Sequence, residues 1–509
     1  MKIHHKHLPL ILFLLSAVLC LFLLINHLQV VGTHPHLSNL QARTENNRIS
    51  LKWESYNTRK YKIEINISSG DYQETVELKG DVSEWSFISG QHGRRYNICI
   101  QLKNENRYVG ERITVGRMFL DESKLPNIPI VRIETAGSQE PTCSYVTAPD
   151  GLWGMSISDN AYIPAIVSVM DQGISAVNCT GQLRVRGNTS AYLDKKPFKL
   201  KLDRKADLLN RGNDAIAQED WVLMPADRSL STETAMLVAS KCGLSWLPDY
   251  TPVNVVINGD WRGCYLLMEA VTAGENKVSV GNTGFIIENN AYWWKDAEVY
   301  FRTQHQVEQL AFTFKYPYAS QLEQADIDVI CDYMNSCEVA ILEDGDRYRA
   351  YIDVESFVAW LMTHDIMGSY DAGGSNMFLY KYDLDPNNPN LSKLKMGPVW
   401  DFTSAFTTKG DWSSIHKQAL LHYDVLTQKQ SFMDDYRTKW QQVSGTLTED
   451  VLIELQTYVH SRDNGYQKSM ELDAECWQTS VADLDQSLTQ VQVWMQERIE
   501  WMDGALLQE

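Results

Sequence analysis

Apolar and polar positions divide this chain into stretches of different period. The first is Leu8 to Ile25, 18 residues without a charged side chain. A helix rising about 1.5 Å per residue over that length crosses most of a bilayer. Lys2 and Lys6 precede it, and no Lys or Arg follows until Arg43. The positive-inside rule therefore predicts a single-pass anchor over residues 1–31, with a cytoplasmic N-terminus and the rest of the chain outside the membrane. The rival is a cleaved signal, with a lipoprotein signal ending at Cys20 as one form. Ala17-Val-Leu-Cys20 lacks the small residue expected before such a cysteine, and the apolar run continues beyond it.

From residue 32 to 118 the period becomes two. Ile49-Ser-Leu-Lys-Trp53, Tyr61 to Ile65, Glu74 to Leu78, Trp85 to Ile88, Tyr96 to Leu102 and Arg112 to Val115 each alternate, with turn residues about every ten positions. This predicts an all-β, immunoglobulin-like sandwich. Trp53 early and Tyr96 opening a late strand resemble a fibronectin type III module. No catalytic cluster falls here, so a spacer or binding role is expected, and residues 119–127 read as a linker.

The larger region, 128–445, opens with strands at Ile128 to Glu134, Ala165 to Met170 and Gln182 to Arg186, the last running into Gly187-Asn188-Thr189-Ser190. Such a turn either aims backbone N–H groups at phosphate oxygens or is an ordinary hairpin. Phe198 to Leu202 alternates strictly, so Lys199 and Lys201 share one face. Either both are solvated on an edge strand or one reaches a ligand. Asp220 to Met224 is a further strand, followed by a helix to Cys242 that Gly243 stops and in which Glu233 is the acid. Val253 to Ile257 and Cys264 to Met268 flank Asn258-Gly259, a hairpin signal, and Glu269 leaves the second strand. After the strand Phe285 to Glu288 come helices at Ser320 to Glu343 and Asp353 to Met367, the second with Val354, Phe357, Val358 and Leu361 at helical spacing. Three helical stretches near 432–443, 447–470 and 480–503 close the chain, so residues 446–509 read as a helical extension. There Trp494 and Trp501, seven apart, read as a packing stripe.

Composition narrows the function. A formal charge of −19, with no basic run to offset it, excludes a nucleic-acid partner as the expectation. Nine cysteines without a Cys-x-x-Cys make a zinc site improbable on spacing. Cys331 and Cys337, if on one helix, are about 9 Å apart along it and do not bridge each other.

Chemistry concentrates between Asp365 and Phe406. Asp371 and Asn376 are separated by Ala-Gly-Gly-Ser, and Asp401 follows in an Asp-Phe pair. Read blandly, Asp371 is a turn residue, Asn376 caps a strand and Asp401 accepts backbone donors. Met377 to Tyr380 and Met396 to Trp400 read as a hairpin that brings Asn376 and Asp401 to one end of a sheet, which favours a phosphoryl-transfer site. Together with Arg184-Val-Arg-Gly-Asn-Thr-Ser190, Lys195-Lys-Pro-Phe-Lys-Leu-Lys-Leu202, Asn258 to Val271 and Pro398-Val-Trp-Asp-Phe402, in this order, the chain resembles the spore-coat protein H (CotH) kinases, a family of atypical protein kinases. One position departs from that pattern: Thr403 stands where the family usually has a second acid.

The resemblance implies an α+β, two-lobed kinase-like domain that transfers the γ-phosphoryl group of ATP, with Mg²⁺ or Mn²⁺, to Ser or Thr of a secreted or cell-surface protein. By that implication Asp371 acts on the acceptor hydroxyl, Asn376 and Asp401 hold the metal, and Lys199, with Lys201 as rival, neutralises the phosphates. Arg186 and Asn188 contact the nucleotide, Glu233 partners the lysine, and Glu269 marks the hinge. Two other classes compete. One is an inactive kinase-like surface scaffold or adhesin, favoured by Thr403 and by the scarcity of ATP outside a membrane. The other is a carbohydrate-active enzyme, which needs paired carboxylates but neither Asn376 nor the strand lysine.

Overall fold

Strict alternation needs a sheet with one face in a core, and residues 36–119 supply two. In a computed structural model the described residues are 34–507, except 46–47, 89–93, 120–123, 153, 296–298, 370–375, 386–387, 389, 408–419 and 481–482. The predicted anchor Leu8 to Ile25 and Asp371 lie outside them. Among the described residues no helix is long and apolar enough to cross a membrane. The chain divides into two units, the first running to Lys124 and including Asn258–Trp261, the second comprising Leu125–Ile257 and Arg262 onward.

In the first unit β1 (His36–Glu45), β2 (Arg48–Tyr56) and β5 (Glu84–Ile88) form one antiparallel sheet. The other contains β4 (Tyr72–Lys79), β3 (Lys62–Ser69), β6 (Arg94–Asn104) and β7 (Arg107–Phe119), in that order. Ile49, Leu51 and Trp53 of one sheet and Ile63, Ile65, Ile98 and Ile100 of the other share one buried cluster. Their partners in sequence face out, the alternation of a sandwich.

The second unit begins with an architecture that the strand pattern did not announce. β8 (Ile130–Thr135), β11 (Ile163–Asp171), β12 (Ile174–Val185), β13 (Phe198–Ala206), β14 (Gln218–Pro225), β15 (Tyr250–Ile257) and β16 (Asp260–Glu269) close into a barrel, in the order β11-β12-β13-β14-β16-β15-β8. The short strands β9 (Ser144–Thr147) and β10 (Met155–Ser158) pair beside it. The pair β15–β8 is parallel, and β8 closes the barrel by pairing antiparallel with β11. Closure rests on long-range pairing, to which local periodicity is blind. At the β15–β16 turn Asn258 and Gly259 both have positive φ (52° and 76°), as a tight primed turn requires.

Barrel strands obey period two with different neighbours on their two faces. Leu200, Trp221, Leu223, Tyr265 and Leu267 fill the interior, while Val222, Leu266 and Met268 join a second, larger core outside. That is why β14 and β16 read as apolar runs rather than alternating strands. The outer core is shared with a five-stranded sheet ordered β18 (Tyr300–Phe301), β19 (Ala311–Tyr316), β17 (Phe285–Asn290), β20 (Met377–Lys381) and β21 (Lys395–Met396). It is also shared with helices α1 (Ser231–Cys242), α2 (Gln324–Leu342), α3 (Val354–Met367), α4 (Tyr423–Leu426), α5 (Gln430–Val459), α6 (Ser461–Trp477) and α7 (Leu484–Leu507).

Two expectations change and one is met. Helix α2 starts at Gln324 rather than Ser320, because Ala319–Gln321 forms a separate 3₁₀ turn. Helix α3, whose apolar positions recur at helical spacing, is buried from Ser356 through Met367, as an all-round apolar helix must be. The stretches 432–443 and 447–470 do not correspond to two helices with a break at 444–446, because α5 runs unbroken through Gly445 to Val459. The boundary between 445 and 446 thus falls inside a helix. A helical glycine costs about 1 kcal/mol, which burial of Tyr436, Trp440, Leu447 and Val451 on either side outweighs.

The register of β13 makes a direct prediction. Leu200→Ala, in the barrel core, should lower stability by about 2–5 kcal/mol, whereas Lys201→Ala, exposed on the opposite face, should change it by less than about 0.5 kcal/mol. Urea unfolding followed by tryptophan fluorescence distinguishes the two, and equal effects would contradict the register.

Candidate functional site

With Leu183, Val185, Leu200 and Leu223 inside the barrel, period two turns Arg184, Lys199 and Val222 outward on three adjacent strands. Arg184 and Lys199 are register partners, as are Lys199 and Val222. These three and Arg186, just beyond β12, form one wall of a cavity of about 250 Å³. Glu288, Asn290, Lys315, Asn376, Phe378 and Trp400 line the cavity too, as do Ala270, Val271 and Lys295. Five cationic side chains thus face it, with Glu288 the acid among its lining residues.

Each charge there has a partner or a ring. Lys199 Nζ lies 2.8 Å from Asp220 Oδ1. Burial lowers the Lys199 pKa, and Asp220 opposes the shift. The Arg186 guanidinium lies 5.8 Å from the Trp400 ring centroid and contacts Met224 Sδ at 2.8 Å. Burial lowers its pKa, opposed by the charges of Asp401 and Glu288. Arg184 sits 4.5 Å from the Tyr162 ring, and Lys315 Nζ is 2.6 Å from Glu288 Oε2. Cations held this far from water attract an anionic ligand strongly, since solvent screens them poorly.

The turn after β12 is glycine-dependent. Gly187 has φ 95°, and a Cβ there would collide with Ser190 Oγ. Asn188 lines the cavity beside it and accepts a 2.6 Å hydrogen bond from the Ser156 hydroxyl. Across the cavity, Asn376 N donates to Glu288 Oε1 at 3.2 Å. Asn376 and Asp401 both adopt left-handed backbone, φ 68° and 57°, a conformation that Asn and Asp tolerate better than most residues and that recurs where side chains are held for function. Asp401 Oδ1 accepts from Thr403 Oγ1 at 2.9 Å and from Thr403 N at 3.3 Å. The threonine that stands where an acid was expected therefore orients Asp401.

Several sequence-predicted site residues lie elsewhere. Lys201 is exposed and absent from the cavity lining, because it sits two residues along β13 from Lys199 and beyond the cavity. Glu233 does not partner Lys199. It is fully buried in the first turn of α1, accepts a 2.6 Å bond from the Tyr466 hydroxyl, and its Oε2 accepts none. Burial pushes its carboxyl up to about 7. Glu269 ends β16 as expected, but its side chain is engaged by Arg211 Nη2 and Asp249 N, each at 3.0 Å, while the cavity takes Ala270 and Val271 from that segment. Sequence reasoning gave no site role to Arg184, Glu288, Lys295 or Lys315. The signal for Glu288 was the polar run Glu288-Asn289-Asn290 ending an apolar strand, all three buried.

The donor set suits a hard divalent cation. Asp401 and Asn376 offer oxygen ligands, as Mg²⁺ and Mn²⁺ prefer. Among the described residues no group of three or more His, Cys, Asp or Glu side chains could hold a metal by itself. Were a divalent cation bound by one carboxylate and one carboxamide here, other oxygens, from water or a ligand, would have to complete its coordination.

Comparison with known proteins places the chain among relatives. The family described as CotH kinase protein matches residues 183–502, more than half of the chain. No curated protein matches. Solved structures similar to the chain include a redesigned β-sandwich protein, at 12% identity over 17% of this chain and 85% of that one, with a TM-score of 0.13. A two-domain fibronectin type III segment of chicken tenascin matches at 14% identity, over 30% and 99% of the two chains, with a TM-score of 0.16. The twitchin kinase region from C. elegans matches at 9% identity, over 91% and 72%, with a TM-score of 0.18. At such scores no shared overall fold follows.

Glu233 makes a pH prediction. A carboxyl raised from 4.5 to about 7 contributes stability that is present below pH 4.5 and lost as pH rises through about 7. Glu233→Gln removes that dependence. Relative to wild type, the variant should gain on the order of 3 kcal/mol between pH 4.5 and pH 8, read from denaturant midpoints at the two pH values. A constant difference would mean that Glu233 is not protonated in the native protein.

Proposed function

The chain belongs to the CotH kinase protein family, and from that premise we propose that it transfers the γ-phosphoryl group of ATP to a Ser or Thr hydroxyl of a secreted or cell-surface protein. The observation that carries this reading is a cavity with five cationic side chains, beside which stand a carboxamide and a carboxylate on left-handed backbone.

Each residue has a task in this reading. Lys199, Arg184 and Arg186 bind the triphosphate, with Asp220 fixing the lysine against its neighbours. The turn at Gly187 and Asn188 lies against the phosphates, and Ala270 and Val271 contact the base. Asn376 and Asp401 hold Mg²⁺ or Mn²⁺, which when bound neutralises charge on the transferring phosphoryl group. Asp371 orients the acceptor hydroxyl and takes its proton as the new O–P bond forms and the bond to the β-phosphate oxygen breaks, releasing ADP. N-terminal anchoring places this chemistry outside the membrane, where the acceptor is a neighbouring surface protein. A second reading, an inactive kinase-like scaffold or adhesin, is favoured by the scarcity of ATP outside a membrane and by Thr403, which replaces an acid yet still hydrogen-bonds Asp401.

Contrasting two carboxylates tests the assignment. Asp401→Ala should abolish the thermal stabilisation given by Mn²⁺ with ATP, worth about 2.7 kcal/mol at a hundredfold excess over Kd. Asp371→Ala should keep that stabilisation while phosphoryl transfer from labelled ATP falls about 10²- to 10⁴-fold. Exchanged phenotypes would exchange the roles, and full activity in both variants would refute the kinase reading. A wild type that binds through Asp401 and never turns over would establish the inactive form.

A further inference from the structure

The last helix of the chain, α7, packs through its middle against the C-terminal end of α3. A helix leaves its final carbonyls without intrahelical partners, and α3 ends in a buried setting where water cannot serve them. Gly368 N donates back to Asp365 O at 3.2 Å, and from Asp365 onward four successive carbonyls are met from two further directions. Asp365 O accepts from Arg498 Nε at 2.8 Å and Ile366 O from Trp494 Nε1 at 3.0 Å, both donors lying on α7. Met367 O accepts from Phe406 N at 2.9 Å, and Gly368 O from Thr407 Oγ1 at 3.1 Å, both in the loop that follows Asp401. Ser369 and Ser404 join their hydroxyls at 3.0 Å.

The helix and the loop also touch each other. The Trp494 ring packs edge-on against Phe406, centroids 5.7 Å apart. Gly368, φ 59°, lies so close that a Cβ would meet the Trp494 ring at 2.5 Å. Phe406 itself has φ 59°. For a bulky aromatic residue that is a strained conformation, which persists where the surroundings over-determine it. Here they do, through the Met367 carbonyl on one side and the Trp494 ring on the other. The loop from Asp401 to Phe406 thus begins and ends in left-handed backbone, with its far end held by α7.

We propose that Trp494 and Arg498 are positioning residues that act through the end of α3 and Phe406 to hold the metal ligand Asp401 in place. On this view α7, which otherwise reads as a packing extension, is part of the catalytic apparatus. The inference rests on the reading of Asp401 as a metal ligand and adds the elements that set its geometry. Residues that hold a ligand's orientation control metal affinity by about 10- to 100-fold, and here the path runs from Trp494 through Phe406 and its loop to Asp401, whose direct partner is Thr403.

The test uses the full chain with Mn²⁺ and ATP. Trp494→Phe keeps an aromatic ring and removes the N–H donor, Arg498→Met removes the guanidinium, and Arg498→Lys restores a cationic donor. Val493→Ala, on the exposed side of the same helix, is the control. Trp494→Phe and Arg498→Met should each weaken the apparent Mn²⁺ affinity, titrated by thermal shift at saturating ATP, by roughly 10- to 100-fold. Turnover should fall in parallel, with partial recovery in Arg498→Lys and none of these effects in Val493→Ala. Unchanged Mn²⁺ affinity and turnover in the variants, beside an active wild type, would overturn the inference while leaving the proposed function intact. A loss fully matched by a fall in the ligand-free melting temperature, and shared by Val493→Ala, would also overturn it, because the helix would then act on global stability alone. A wild type without any response to Mn²⁺ and ATP would remove the proposed function and this inference with it.

Discussion

A helix buried on all sides must satisfy both its ends inside the protein, and α3 sets that constraint for the second unit. Its N-terminus is met locally, by the Asp353 carboxylate accepting from Ser356 N at 2.9 Å. Its C-terminus is met locally only in part, Gly368 N donating to Asp365 O and Ser369 N to His364 O at 3.2 Å each, and the carbonyls of Ile366, Met367 and Gly368 are reached from distant segments. Those segments are the loop after Asp401 and the helix α7. Leaving such groups unpaired in a core would cost about 1–3 kcal/mol each, so the same bonds that make the helix stable also bring the Asp401 loop to it.

A second constraint is electrostatic. The outer face of the barrel at β12 and β13 carries Arg184, Arg186 and Lys199 into a partly enclosed space, where like charges repel and solvation is reduced. The protein offsets this with Asp220 against Lys199, Glu288 against Lys315, and aromatic rings of Tyr162 and Trp400 beneath the two guanidinium groups. These partners leave a net positive wall. Glu288 has a second task, accepting from Asn376 N, so charge balance and backbone geometry meet in one side chain.

Local patterns were informative where one element sufficed to decide the outcome. The alternation around Trp53, Ile65 and Ile98 indicated a sandwich, Asn258-Gly259 a tight hairpin, and Gly243 and Gly368 the ends of α1 and α3, whereas the hairpin read over 377–380 and 396–400 reduces to the pairing of β20 with Lys395–Met396, residues 397–400 lying outside any strand. The polar members of the site were legible where they sat in a motif, as Arg186, Asn188 and Lys199 did. Glu233 misled because an acid in the first turn of a helix reads the same whether it faces a lysine or a tyrosine; its environment comes from α6, more than two hundred residues away.

The amino-acid order alone thus determined periods, turns and helix ends, because each depends on residues within about a turn of one another. Tertiary structure alone decided which strands closed the barrel, which face of β13 met a cavity, and which side chains answered the charges there. Lys199 and Lys201 are identical in sequence terms, two positions apart on one face. Only the placement of Asp220, β17 and β19 puts the first in the cavity and leaves the second in water. Trp494 likewise followed a packing period, and its hydrogen bond to Ile366 became visible only once α7 lay against the end of α3. The physical reason is the same in each case: a side chain's period is written locally, but its partner is supplied by whatever part of the chain folds against it.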